Sequence, residues 1–326
     1  MVATADSRFL SITNNKGLKG TFSTFGAGVR SLTLNGKPLI LELADPNEYL
    51  VANQFFGKTL GRVAGRIPDK FTIGDHTYSV LGDKDHICLH GGIMESLSFR
   101  NFEGTLITSP EGNSIQFTYL SKDLECGFPG NLEVKVTYFI PNDRNELTIR
   151  FEAKADKSTP VSLSNHIYWN IFNSDNVNNY RYYVNASKYG VFKKGTQLIV
   201  KTANVPACLD FRKKPLLKTN LDLIEKEIPE IGTLDHAFLL DEVTSTKPQA
   251  ILDTEHLTVE CYTDYDCINN YVDSSLSKVN FTNGKGLTTA RRRAIAIEPE
   301  MYPLDDLVLK GGHTYSHFMT YKLISK

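Results

Sequence analysis

Cysteine is scarce and scattered in this 326-residue chain. The five residues Cys88, Cys126, Cys208, Cys261 and Cys267 form an odd set without a C-x-x-C pair, so neither a disulfide framework nor a cysteine-held zinc is expected. An excess of one charge is also missing. Lys and Arg total 36 against 37 Asp and Glu, and a net charge of −1 offers no general attraction for nucleic acid or anionic lipid. No apolar run approaches the roughly twenty residues of a bilayer span. The opening MVATADSRFL lacks the charged-then-apolar pattern of a secretory leader, so a cytoplasmic location is expected, with no membrane partner.

Several chemistries lack their signatures as well. There is no G-x-x-x-x-G-K-S/T phosphate loop, no H-E-x-x-H metal helix and no G-x-S-x-G nucleophile elbow. Gly26-Ala27-Gly28 has neither the last glycine nor the helix of a dinucleotide site. His313 and His317 are four apart, but HTYSHFMTYKL alternates like a strand, which separates them along a sheet; no metal site is expected there. The densest basic run, Arg291-Arg292-Arg293, reads as a solvated strand end.

What is present is a globular composition, 41% hydrophobic and 22% charged, written largely in period two. Leu132, Val134, Val136, Tyr138 and Ile140 alternate with more polar residues. Pro141-Asn142-Asp143-Arg144 then turns the chain, and Leu147, Ile149, Phe151 and Ala153 resume the alternation, which predicts an antiparallel hairpin. Shorter strands are expected at Ser114 to Leu120, Leu257 to Thr263 and Ala294 to Ile297. Helical periodicity is sparse: Leu221 to Glu230 fits a short helix poorly, with Pro229 to stop it. The expectation is an all-β sandwich with few short helices, and no composition shift divides residues 1–326 into more than one domain.

Four places combine residue types suited to chemistry. His90 precedes paired glycines in Leu89-His90-Gly91-Gly92, which suits either a sharp turn or close backbone approach to a ligand. His166 lies in Ser164-Asn165-His166-Ile167-Tyr168-Trp169-Asn170, with amides and the only tryptophan nearby. That mixture suits a sugar, whose ring has apolar C–H faces and a polar rim, but it equally suits a core aromatic with satisfied amides. Asp235-His236 opens an apolar strand, so one of the pair should point inward. Glu298 follows the apolar run Ala294-Ile295-Ala296-Ile297, and a carboxylate there is costly unless paired or functional.

Read together, the segments resemble the aldose 1-epimerases, or galactose mutarotases. The matching pieces occur in order: GRVAGRI at 61–67, LHGG at 89–92, GFPGNLEVKVTY at 127–138, SNHIYWNI at 164–171, NASKY at 185–189, LDHAFLL at 234–240, IEPEMYP at 297–303 and the final GGHTYSHFMTYKL. The resemblance implies a large galactose mutarotase-like β-sandwich (supersandwich) that interconverts α and β anomers of free aldohexoses such as galactose and glucose, without a cofactor. It implies His166 as general acid and Glu298 as general base. Arg66, His90 and Asp235 would bind substrate, and Trp169 would occupy an aromatic substrate-site position. A monosaccharide is the implied partner, and both monomer and homodimer remain open. Two positions depart from the family's pattern: Gly65 stands where asparagine usually precedes the arginine, and Glu298-Pro299-Glu300 replaces Glu-Thr-Gln. In an extended segment Glu300 would share a face with Glu298, and like charges would raise a pKa. The alternatives are a hexose-6-phosphate 1-epimerase, which would need added basic residues, a catalytically silent sugar-binding protein on the same scaffold, and a glycosidase using Glu298 and Asp235.

Overall fold

The alternation between Leu132 and Ala153 forms two ten-residue strands, Leu132–Pro141 and Glu146–Ala155, paired antiparallel with Val136 opposite Phe151. A computed structural model describes residues 8–45, 47–51, 54–273, 276, 291–303 and 306–326. Among them the hairpin belongs to an eight-stranded sheet in the order Glu103–Thr108, Gly112–Ser121, Leu132–Pro141, Glu146–Ala155, Thr314–Ser325, Leu257–Thr263, Ala250–Asp253, Arg181–Val184. A second sheet runs Tyr168–Trp169, Ile295–Glu300, Cys267–Val272, Asp235–Leu239, Lys188–Phe192, Ile199–Asn204. All the strand pairings in both sheets are antiparallel. A smaller four-stranded sheet covers Phe9–Thr13 to Lys37–Pro38.

The sheets share one hydrophobic cluster. Val134, Tyr138, Ile149, Phe151 and Tyr321 from the first meet Phe238, Ile268, Ile295 and Ile297 from the second, and Leu18, Phe22 and Leu32 from the third. This is the all-β sandwich expected from period-two patterning. Two α-helices, Glu48–Val51 and Leu217–Glu227, are found among the described residues. The longer one begins earlier than its sequence suggested, because Leu217 completes the buried stripe Leu217, Leu221, Ile224 at i, i+4, i+7. Pro229 lies just beyond its end, as expected. Arg291 is solvent-exposed as expected, but Arg292 is largely covered and pairs with Asp222 and Glu225, while Arg291 reaches Glu225, so the two tie down that helix. The final alternating segment forms the strand Thr314–Ser325, in which His317 stacks on Tyr265, away from any partner histidine.

Trp169 requires a correction. It was expected to line the sugar site, but it is fully buried and packs on Tyr321 with ring centroids 4.8 Å apart. Successive strand residues face opposite ways, and Trp169 lies opposite Ile295, a core residue. Its neighbour Tyr168 faces the other side.

One buried polar relay fixes the second sheet's outer loops to the core. Tyr138 Oη donates to Ala27 O at 2.6 Å and accepts from Asn165 Nδ2 at 3.0 Å, and the same amide donates to Gly57 O at 2.8 Å. Tyr138→Phe removes one of two donors to the buried Ala27 carbonyl, the Thr59 hydroxyl at 3.0 Å being the other, and one acceptor of the Asn165 amide, and should lower the unfolding free energy by about 0.5–1.5 kcal/mol, read from urea titration. Wild-type stability in that variant would show the relay to be dispensable.

Candidate active site

Register decides which side chains share the outer face of the six-stranded sheet. Tyr168 lies opposite Ala296, Ala296 opposite Tyr271, and Tyr271 opposite Asp235, forming one row across four strands. Two residues further along, Glu298 lies opposite Asn269 and Asn269 opposite Ala237. Small Ala296 and Ala237 leave depth between the larger groups. A cavity of about 440 Å³ opens over this face, lined among others by Arg66, His90, His166, Asp235, Asn269 and Glu298. A larger concavity of about 770 Å³ lies on the solvent face of the eight-stranded sheet. Its Glu133, Lys135, Glu152 and Lys154 are unburied charges of mixed sign, so the groups suited to chemistry converge in the smaller cavity.

Neighbouring backbone holds each functional side chain. His166 N–H donates to Lys58 O at 3.0 Å, and His166 O accepts from Gly57 N–H at 2.8 Å. These bonds, with the Asn165 amide, pin the imidazole over the sheet. His90 N–H donates to Gly65 O at 2.9 Å, and Gly65 N–H donates back to His90 Nδ1 at 3.1 Å. Gly91 lets the turn after His90 pack on the Gly61 backbone, since a Cβ there would lie 2.2 Å from Gly61 O. Arg66 is carried by the short strand Arg66–Pro68, paired with Ile87–Leu89. Its guanidinium grips Asp235 through two bonds of 3.2 and 2.8 Å, and Gln197 Nε2 donates to the same carboxylate at 3.0 Å.

The floor of the cavity is dry and acidic. His166 Nε2 lies 3.4 Å from Glu298 Oε1, and Asn269 on the adjacent strand is the other polar side chain that meets this carboxyl. Burial, then the nearby Glu300 and Asp235 carboxyls, push the Glu298 carboxyl well above its usual range. Burial likewise pushes the His166 imidazole down to about 4 and holds His90 well below the ordinary histidine value. His90 is thus neutral and, because its Nδ1 lone pair accepts the Gly65 N–H, its proton sits on Nε2. Polar atoms of His90, His166 and Glu298 lie within 4.8 Å of one another. A neutral imidazole has one free lone pair, and His90 has already committed it, so this trio is fitted for hydrogen bonding to a ligand rather than for holding a metal.

Five of the six residues singled out from the sequence, His166, Glu298, Arg66, His90 and Asp235, meet around one cavity; Trp169 lies on the core side. His236 turns away from Asp235 to lie against Phe192 and Tyr189, as alternation required. Phe55, Tyr168, Gln197, Asn269 and Tyr271 also line the cavity. Tyr168 and Tyr271 could have been found by strand parity once the register was known. Phe55, whose ring lies 4.8 Å from His90 and 6.1 Å from His166, and the loop residue Gln197 carry no local sequence signal.

An imidazole beside a carboxyl, beneath a forked donor and its acceptor on a large antiparallel sandwich, defines an acid–base enzyme for polyhydroxylated substrates, a carbohydrate isomerase. The chain belongs to the aldose 1-epimerase family, whose sequence pattern matches residues 8–322. It is 29% identical to mouse galactose mutarotase over 304 residues, covering 87% of this chain and 83% of the mouse protein. Identity to Escherichia coli (strain K12) aldose 1-epimerase is 26% over 345 aligned positions, covering 98% and 96% of the two chains. The crystal structure of an aldose epimerase homologue from C. elegans superposes with a TM-score of 0.86 at 27% identity, covering 98% of this chain and 99% of the other.

Asp235→Ala would strand the Arg66 guanidinium, whose side chain is only 14% exposed, and should cost about 3–5 kcal/mol of stability. In a double-mutant cycle, removing Arg66 as well should restore part of that loss. Strictly additive losses would mean that the pair is not coupled.

Proposed function

We propose that this enzyme interconverts the α and β anomers of free aldohexoses such as galactose and glucose, with Glu298 as the base at the C1 hydroxyl and His166 as the acid at the ring oxygen. The observation that carries this reading is the 3.4 Å separation of His166 Nε2 and Glu298 Oε1 on the cavity floor. Both oxygens that exchange protons in ring opening are bonded to C1, so their partners must stand side by side. From the form in which the pair's one proton stands on His166, Glu298 takes the proton from O1 as His166 gives its own to O5; the C1–O5 bond breaks and a carbonyl forms at C1. Rotation about C1–C2 presents the other face. Reclosure returns both protons and forms the opposite anomer, so the pair ends as it began and no cofactor is consumed. Arg66 and Asp235 hold hydroxyls, and His90 Nε2–H offers a fixed donor nearby.

The rival readings fit less well. A glycosidase needs two carboxyl groups flanking the bond, about 5–5.5 or 6.5–9.5 Å apart, whereas Asp235 is occupied by Arg66 and Gln197. A hexose-6-phosphate 1-epimerase needs cations for the phosphate. Among the described residues lining the cavity Arg66 is the only Lys or Arg, and the adjoining recess carries Asp83, Asp85 and Glu230. The Arg291 and Arg292 side chains are committed to the helix Leu217–Glu227. A silent binding protein would have no need of the His166–Glu298 pair.

We further read residues 1–326 as one domain, a reading supported by the single cluster shared between the sheets, and the enzyme as a cytoplasmic monomer or homodimer. That no disulfide joins the cysteines among the described residues supports the location, and no described helix is long and apolar enough to cross a membrane.

Polarimetry or NMR exchange with galactose, glucose and glucose 6-phosphate tests the substrate class; exclusive action on the phosphate would overturn it. Glu298→Gln and His166→Asn should each lower kcat by about 10²–10⁴-fold in folded protein. Normal turnover in either would remove that residue from the proton transfers.

The pH profile follows from the same pair. With His166 pushed down to about 4 and Glu298 pushed up, the two hold one shared proton across the interval between. As pH falls below that interval the pair gains a second proton and loses its base; as pH rises above it, the pair loses its acid. kcat/KM should therefore fall on the acid side as pH drops through about 4 and fall again on the alkaline side. An acid limb centred at about 6.5, the value for imidazole in water, would show that burial does not govern His166.

A further inference from the structure

Glu300 has the same parity as Glu298 on the strand Ile295–Glu300 and projects from the same face. It is 1% exposed, and neither of its carboxyl oxygens has a hydrogen-bond partner. An apolar residue would fill such a place at lower cost, so an unpartnered buried acid there calls for a reason. Gly65 makes the room. A Cβ at position 65 would stand 2.7 Å from Glu300 Oε1, and the φ of +72° independently favours glycine. Gly65 is also the residue that exchanges hydrogen bonds with His90 and precedes Arg66, so Glu300 sits directly beneath the turn that carries both.

The groups whose charges bear on Glu300 come from several elements. Glu298 shares its strand; Arg66 and Asp235 stand at the cavity; Asp266 and Tyr265 precede the strand Cys267–Val272; Tyr315 comes from the eight-stranded sheet. Arg66 is the only cation among them, and it is already gripping Asp235. Attraction to Arg66 is the largest charge interaction on Glu300, and a negative charge there repels Asp235, Asp266 and Glu298.

We propose that Glu300 is a positioning residue that keeps the working proton in the His166–Glu298 pair, and that Gly65 is the opening that admits it. The proposal rests on the reading of Glu298 as the base. Burial pushes Glu300 up to about 8, so its charge appears on the alkaline side of neutrality. Rising pH is the direction in which the pair surrenders its proton. Each increment of charge on Glu300 makes ionisation of Glu298 harder, and the alkaline limb of activity is displaced to higher pH.

The test compares kcat/KM against pH for wild type, Glu300→Gln, Glu300→Met and Glu300→Asp on galactose, with Glu298→Gln alongside. Gln keeps hydrogen-bonding capacity and Met does not, but both abolish the charge. Both should move the alkaline midpoint down by about one unit, so that the ratio of alkaline to neutral activity falls by about tenfold, while Asp retains most of the wild-type limb. A Gln profile superimposed on wild type overturns the proposal, as does a change confined to Met, which would assign Glu300 a hydrogen-bonding role. Inactive Glu298→Gln with unchanged Glu300 variants defeats this inference alone. Active Glu298→Gln defeats the base assignment and the inference with it.

Discussion

The strand Ile295–Glu300 is buried on both faces, and much of the site follows from that. Its inner face carries Ile295 and Ile297 into the shared core. Its outer face carries Glu298 and Glu300, 0% and 1% exposed, against a cavity and a glycine turn. In water two carboxyls would ionise well below neutrality; in this setting both keep their protons to higher pH, because burial and mutual repulsion act in the same direction. The neighbouring imidazole is driven the opposite way by the same dryness. A carboxyl with raised and an imidazole with lowered proton affinity result where polar residues meet over a strand whose other face is ordinary core.

Period two was the legible part of the sequence. It located the hairpin at Leu132–Ala155, the strand containing His313's neighbour His317, and the division of labour between Asp235 and His236. It did not assign the aromatic pair Tyr168-Trp169, because parity states that the two face apart without saying which one faces the ligand. That choice needs register: Trp169 lies opposite Ile295 and Tyr168 opposite Ala296. The longer helix was underread for a related reason. Its stripe starts at Leu217, just after Pro215-Leu216, where local pattern suggests a break. The arginine triplet could be interpreted only with its helix in place.

The site residues come from separate stretches near positions 55, 66, 90, 166, 197, 235, 269 and 298, and only motif order connects most of them in one dimension. His166 and Glu298 stand out by residue type and setting, whereas Arg66 is pointed to only by the family resemblance. Phe55 and Gln197 did not, since a loop phenylalanine or glutamine has no distinctive pattern. The two departures noted in the sequence, Gly65 and Glu300, looked independent there. In space they are one feature: the missing side chain at 65 is the volume that the carboxyl at 300 requires.

The relay through Tyr138, Asn165, Gly57 and Ala27 joins the loop bearing His166 to the centre of the sandwich. Thermal inactivation should consequently coincide with global melting, without an earlier softening of the catalytic cleft. The rate at which a sugar's anomers equilibrate could then serve as a reporter of the whole scaffold's integrity up to the temperature at which it collapses.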